Sequence, residues 1–165
     1  MTKKDSLAGK KILIVDDEPD VLETLEELLT IYEVSKASTF DEGKELLETQ
    51  HFDLAILDIM GVKGYELLDV AVQRKITAVM LTAHALTPES IVKSYKKGAA
   101  YFIPKEEMVR ITTFLEDIFD AKAQGTSTWF NWLERLTDSY WAKKFGPDWK
   151  TKDKKFWDDF TDHNV

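Results

Sequence analysis

Asp53-Leu54-Ala55-Ile56-Leu57-Asp58-Ile59-Met60 decides how the chain folds. Leu54 to Leu57 are apolar without interruption and run straight into the carboxylate of Asp58, with no turn residue between. An apolar run this short reads as a strand covered on both faces, the habit of parallel sheets. Asp58 then emerges at the carboxyl edge of that sheet, where open α/β sheets place ligands and chemistry. A strand-end Asp can equally cap a following loop or helix, so the neighbouring strands must be read with it.

Upstream, Lys10-Lys11-Ile12-Leu13-Ile14-Val15-Asp16-Asp17-Glu18-Pro19 repeats the pattern, with Ile12 to Val15 as a second apolar strand ending in carboxylates. Pro19 starts a helix, because its missing N–H has no helical partner at that position. Val21, Leu22, Leu25, Leu28, Leu29 and Tyr32 follow at helical spacing. A weaker strand lies around Val34 to Ala37, and Phe40 to Gln50 reads as a helix with Leu46 and Leu47 on its buried side. Downstream, a helix opening at Gly64-Tyr65-Glu66-Leu67-Leu68 ends near Arg74-Lys75, and Ala78 to Leu81 is a fourth apolar strand ending at Thr82-Ala83-His84. Thr87-Pro88-Glu89-Ser90 reads as a helix start with Thr87 as N-cap, and Gly98 stops that helix. Ala100 to Ile103 is the fifth strand, followed by Pro104-Lys105. Met108, Ile111, Leu115, Ile118 and Phe119 carry the last helix. Five strands alternating with five helices predict an α/β fold, a parallel sheet covered on both faces.

The 165 residues suit one domain with an appendage, and the composition divides them at a short polar joint, Gly125-Thr126-Ser127-Thr128. Residues 1–125 hold the α/β pattern, and residues 126–165 form an extension that carries all five tryptophans. There Trp129, Trp132, Leu133, Leu136 and Tyr140 recur at helical spacing, Gly146-Pro147 ends the pattern, and Phe156, Trp157 and Phe160 could line a further short helix. The extension is therefore expected to be α-helical. It could pack back on the first part, form a dimer interface, since Trp and Tyr are enriched at such surfaces, or dock a partner protein. Net charge is −8, with 23 acidic against 15 basic residues in the first part and 7 against 7 in the second. Neither part offers the basic surface that nucleic-acid binding needs, and no membrane partner is expected. With no cysteine, disulfides and thiolate metal sites are excluded. Met1-Thr2-Lys3-Lys4-Asp5 lacks the apolar core of a signal peptide and no run approaches a membrane span, so a cytoplasmic location is expected.

The strand ends converge. Asp16, Asp17 and Asp58 end two strands, Thr82 ends a third, and Lys105 follows the fifth, all at one edge of one sheet. Carboxylates that close repel unless a cation sits among them, and hard oxygen donors suit Mg²⁺. A hydroxyl donor and a fixed positive charge are what an incoming phosphoryl group needs. Each residue alone has a plainer reading: a helix N-terminus for Asp16-Asp17-Glu18-Pro19, a structural Thr82, a solvated Lys105, core packing for Phe102. Together they are hard to read that way.

With these motifs in this order, residues 10–122 resemble the receiver domains of two-component response regulators, whose sheet is flavodoxin-like with strand order 2-1-3-4-5. The resemblance implies that Asp58 is the phosphoacceptor, taking a phosphoryl group from a phosphohistidine on a sensor histidine kinase or phosphotransfer protein. It implies Mg²⁺ ligation by Asp17 directly, by Asp16 mostly through water, by Asp58, and by the backbone carbonyl of Met60. Lys105 would pair with the phosphoryl oxygens, while Thr82 and Ala83 would bind the phosphoryl group. Phe102, three residues before the lysine, matches the aromatic that turns inward when Thr82 is drawn to the phosphate. Met60 and His84 match positions flanking the water that hydrolyses the aspartyl phosphate, and so bear on its lifetime. Such a protein catalyses only its own phosphorylation and dephosphorylation and acts through an output protein, reached by way of the extension, or through a homodimer.

Two departures from the family pattern bear on this. Asp58-Ile59-Met60-Gly61-Val62-Lys63-Gly64 lacks the usual Met-Pro and reaches its glycine in six residues rather than about eight. The fifth strand is followed by Pro104-Lys105 in place of Lys-Pro, which leaves the isomer of Ile103–Pro104 to the structure. The alternative is a degenerate receiver, an interaction module independent of phosphorylation. A flavin carrier is disfavoured by the acids after the first strand. A dehalogenase-type phosphatase needs a second Asp where Met60 stands.

Overall fold

The computed structural model describes residues 3–83, 87–129 and Trp132. Its elements are α1 (Lys3–Leu7), β1 (Lys11–Val15), α2 (Pro19–Leu28), β2 (Glu33–Ala37), α3 (Phe40–Thr49) and β3 (Leu54–Asp58). They continue with α4 (Gly64–Gln73), β4 (Thr77–Thr82), α5 (Pro88–Lys96), β5 (Tyr101–Pro104), a 3₁₀ turn (Lys105–Arg110) and α6 (Ile111–Gln124). The strands form one five-stranded sheet in the order β2-β1-β3-β4-β5, every pair parallel.

Chain direction fixes which face each helix takes. The path steps from β1 out to β2 and then back through β3 towards β5, and right-handed crossovers place helices on opposite faces when the direction reverses. Accordingly α2 packs with α6, and α3 packs with α4. Every residue of β3 is buried, as its unbroken apolar run requires, whereas the edge strand β2 is largely half-exposed. The register sets Val15 beside Leu57 and Asp58 beside Leu81, so the residues that follow β1, β3 and β4 leave the sheet at one edge. No helix among the described residues is long and apolar enough to cross a membrane.

Several helix signals act as their chemistry dictates. Pro19 and Pro88 occupy the first turns of α2 and α5, and the Thr87 hydroxyl accepts the Ser90 amide at 3.0 Å. Thr39 caps α3 reciprocally: its hydroxyl accepts the Glu42 amide at 3.2 Å and donates to the Glu42 carboxylate at 3.1 Å. Thr39→Ala is expected to lower stability by about 1 kcal/mol, read as a shift of the urea midpoint at unchanged m-value. Within α3, Gly43 lets the helix lie close on β1, since a Cβ there would meet Val15 Cγ1 at 3.0 Å. Leu47 is buried beside it, while Leu46 is only partly covered.

Some boundaries differ from the sequence reading. Helix α2 ends at Leu28, and Leu29 and Tyr32 reach the core from beyond it. Periodicity alone does not show this, because the chain turns without losing its apolar spacing. The last helix begins at Ile111, not Met108, because Lys105–Arg110 winds as a tighter 3₁₀ turn. Its buried stripe includes Phe114, which the spacing overlooked, and Phe119 is only partly buried. The short α1 was not anticipated; its Leu7 closes on the core and the Lys10 amide bonds to the Leu7 carbonyl. There is no cis peptide bond among the described residues, so Ile103–Pro104 is trans. Pro104 sits on an edge strand, where a missing N–H disturbs the ladder least.

The core continues past Gly125. Trp129 and Trp132 are buried in the same apolar cluster as the strands, the Trp129 ring stacked 6.0 Å from Tyr101 and edge-on to Tyr95 at 5.5 Å. An indole removes roughly 200 Å² from water, worth about 5 kcal/mol as an upper value for each. For these two residues the structure realises packing back onto the first part. Leu133, Leu136, Tyr140, Phe156, Trp157 and Phe160, on which the predicted helical extension rested, lie outside the described residues, as does His84.

Candidate functional site

Three strand ends and one turn build the site. Asp16 follows β1 directly and is fully buried, and its Oδ1 accepts the Glu18 amide at 2.9 Å. Asp17, next in the chain, is exposed. Asp58 closes β3 and is 4% exposed. Thr82 closes β4, one residue beyond the partner of Asp58 in the register, and is buried, with Ala83 exposed beside it. Lys105 opens the 3₁₀ turn after β5, where the extended backbone of Pro104 delivers it to the carboxyl edge.

Lys105 gathers the acids. Its Nζ lies 2.9 Å from Glu18 Oε1, 3.0 Å from Asp16 Oδ2 and 3.5 Å from Asp58 Oδ1, with its side chain only 9% exposed. The bond to Glu18 is well formed, whereas Asp16 Oδ2 is buried with no aligned hydrogen bond and meets the ammonium as a charge contact. Glu18 is the partner that sequence reasoning missed. It occupies the N-cap position of α2 yet makes no cap bond, because its carboxylate is spent on Lys105. Its place beside the Asp pair was visible; that it would turn to a lysine 87 residues away was not.

The loop after Asp58 closes in a way peculiar to this sequence. Gly61 takes φ +82°, and a Cβ there would strike the Asp17 carboxylate at 2.5 Å. Lys63 is left-handed at φ 54°, and its ammonium lies 5.3 Å over the Phe40 ring. The Gly64 amide bonds to the Ile59 carbonyl at 3.0 Å, and a Cβ on Gly64 would collide with the Asp58 carbonyl oxygen. The shortened loop therefore reaches α4 by laying two glycines against the backbone and side chains of the acidic site. Val62 is buried under it, while Met60 points out, 53% exposed. Phe102 is fully buried within β5, three residues before Lys105.

Charge is unbalanced here. Burial, then the nearby Asp16 carboxylate, push Asp58 up to about 7, against the pull of Lys105. Burial also raises Asp16, opposed by the Glu18 amide and Lys105. Burial works to lower Lys105, but its close contacts with Glu18 and Asp16 and the field of Asp16 and Asp58 outweigh it and hold the ammonium up at about 12. One ammonium thus serves several acids. Oxygens of Asp16, Asp17 and Glu18 lie within 4.8 Å of one another, a hard donor set that fits a divalent cation. Asp58 falls outside that trio, although Lys105 links it to two of its members.

The response regulator receiver domain family matches residues 12–116. The chain belongs to that family. The receiver fold and the place of the chain among two-component response regulators follow from it. Its sheet superposes on a CheY-like response regulator receiver domain from Methanospirillum hungatei JF-1 at a TM-score of 0.57 and 32% identity, over 67% of this chain and 95% of that one. In sequence it is 33% identical over 103 residues to the two-component response regulator ARR18 of Arabidopsis thaliana, covering 59% of this receiver chain and 16% of the relative. It is 32% identical over 128 residues to the probable transcriptional regulator ycf27 of Cyanophora paradoxa, covering 72% and 54%. The receiver chain therefore spans about half or less of the length of these curated relatives.

Proposed function

We propose that this receiver is phosphorylated on Asp58 by a phosphohistidine donor, a sensor histidine kinase or phosphotransfer protein, and that the modification switches its contacts with an output protein. The observation that carries the reading is the buried Asp58 carboxylate at the carboxyl end of β3, 3.5 Å from the Lys105 ammonium. In-line phosphoryl transfer asks the protein for position and charge neutralisation rather than covalent chemistry. Lys105 stands ready to trade carboxylates for phosphoryl oxygens, and the Thr82 hydroxyl and Ala83, at the end of β4, border the same edge. Asp16, Asp17 and Glu18 supply oxygens that would hold Mg²⁺, with Asp58 and the Met60 carbonyl as further candidates. The cation would neutralise charge that Lys105 alone leaves uncompensated. The protein would catalyse only its own phosphorylation and dephosphorylation, in the cytoplasm.

Intact mass after incubation with a small phosphodonor tests the reading. One added phosphoryl group is expected on the wild-type chain with Mg²⁺, and none with excess chelator or on Asp58→Ala. Lys105→Ala is expected to cut the phosphorylated fraction at least tenfold, the scale of a lost charge-assisted contact of about 1.5 kcal/mol or more. An adduct indifferent to Asp58, or none at all, would favour the interaction module independent of phosphorylation.

A further inference from the structure

The receiver reading leaves the tryptophans after Gly125 without a role, yet the two among the described residues make specific buried contacts. Trp129 Nε1 donates to the Ala99 carbonyl at 2.9 Å, and Trp132 Nε1 donates to the Phe102 carbonyl at 2.8 Å, both bonds buried. Donors three residues apart thus meet acceptors three residues apart along the entry and middle of β5. The rings stack on each other edge-to-face at 5.1 Å, and Trp129 packs on Tyr95 and Tyr101. Apolar packing alone would not select these atoms. Two indole N–H groups aimed at two main-chain carbonyls fix the register of this segment on the strand.

The same strand reaches the acidic site. Phe102 bears the carbonyl that Trp132 grips, and Lys105, three residues on, carries the ion pairs to Glu18, Asp16 and Asp58. Pro104 lies beside Thr82 in the β4–β5 register, so Thr82 and Lys105 bracket the strand's carboxyl end. A hydrogen bond of 2.8 Å tolerates a shift of only a few tenths of an ångström before it weakens.

We propose that Trp129-x-x-Trp132 is an intramolecular clasp on β5 that is coupled to the phosphoacceptor, docked while Lys105 rests on Glu18 and Asp16 and loosened when Asp58 carries a phosphoryl group. The proposal rests on the receiver reading above. Phosphorylation replaces the single charge of the Asp58 carboxylate with a phosphoryl group that carries close to two and sits farther out from the strand, and it draws Lys105, and with it the end of β5, away from the arrangement in which both indole bonds are formed. The clasp then makes fewer contacts in the phosphorylated state, and this difference is what a population shift requires. The released element is a pair of indoles, large apolar groups each with one polar handle, suited to anchoring in a partner's pocket. Trp129 and Trp132 are in this sense the receiver's own output element, held in place by the strand that senses the site.

The 165-residue chain tests this, because every tryptophan in it lies after Gly125 and indole emission reports on that part alone. Trp141→Phe, Trp149→Phe and Trp157→Phe combined restrict the signal to Trp129 and Trp132. That chain, and the same chain with Asp58→Ala, are treated with acetyl phosphate and Mg²⁺, and intact mass, emission spectrum and acrylamide quenching are read on one sample. The expected result is a red-shifted emission and stronger quenching that rise with the phosphorylated fraction and are absent with Asp58→Ala. Full phosphorylation with unchanged emission and quenching overturns the clasp and leaves the receiver reading standing. A change equal in the Asp58→Ala chain overturns the coupling. The absence of any adduct overturns both.

Discussion

Asp58→Asn is expected to abolish the phosphoryl adduct and, measured without divalent cations, to make the protein more stable at neutral pH. The second effect follows from the charge imbalance. Burial and the Asp16 carboxylate hold Asp58 near 7, well above the ordinary carboxylate value of 3.8. A carboxyl group raised in the folded state binds its proton more tightly there than in the unfolded chain. Its contribution to stability is complete below pH 3.8 and is lost as pH rises through about 7. An amide of the same shape does not ionise. The advantage of Asp58→Asn should therefore be near zero at pH 4, grow through the intervening range, and level off just above pH 7. Its plateau is on the order of 4 kcal/mol, from the size of the shift. Urea unfolding of both chains between pH 4 and 8 in the presence of a chelator measures it. Equal midpoints at pH 8 would mean that Asp58 is not electrostatically frustrated in the folded protein. The expected plateau instead makes the site one that holds electrostatic strain and is relieved by whatever neutralises it, as functional sites commonly do.

Gly64→Ala is expected to cost about 3 kcal/mol, at the severe end of overpacking. The position needs space rather than an unusual backbone angle. A Cβ there would overlap the Asp58 carbonyl oxygen and lie 2.7 Å from Ile59 Cα, and backbone has no rotamer by which to yield. The control is Gly9→Ala, where φ is +81° but nothing lies within 4 Å, so only the left-handed conformation is penalised, by roughly 1–2 kcal/mol. A larger loss for Gly64→Ala than for Gly9→Ala in urea unfolding separates close approach from conformational strain. Similar losses would mean that the loop moves aside at little cost. Because the displaced atom belongs to Asp58, the variant should also lower phosphorylation in whatever fraction stays folded.

The fold was legible because its signals are local. The runs Ile12–Val15 and Leu54–Leu57 are too short for helices and apolar on every residue, which only a strand covered on both faces satisfies, and both are fully buried. Pro19, Thr87-Pro88 and Gly98 punctuate the helices through their own backbone chemistry. The misplaced ends share one cause. At Leu29, Tyr32 and Met108 the apolar pattern continues while the backbone leaves the helix, and hydrophobic spacing records burial, not conformation.

The site was legible in part. The acids, Thr82 and Lys105 stood at predicted strand ends, and a parallel sheet brings all such ends to one edge, so their convergence follows from topology alone. The division of labour within the cluster does not. Glu18 and Asp58 compete for one ammonium by differences of tenths of an ångström, and such differences are set by packing around Lys105 rather than by residue type.

The sequence by itself determined the strand count, their parallel order through the family resemblance, and the edge at which the chemistry lies, because each rests on neighbouring residues or on the handedness of the chain. Only the tertiary structure decided that Glu18 holds Lys105, that Gly61 and Gly64 make room for a shortened loop against Asp17 and Asp58, and that Trp129 and Trp132 bond to β5. Each of those joins groups far apart in the chain through contacts a few ångströms long, and such contacts are specified by how the whole core packs.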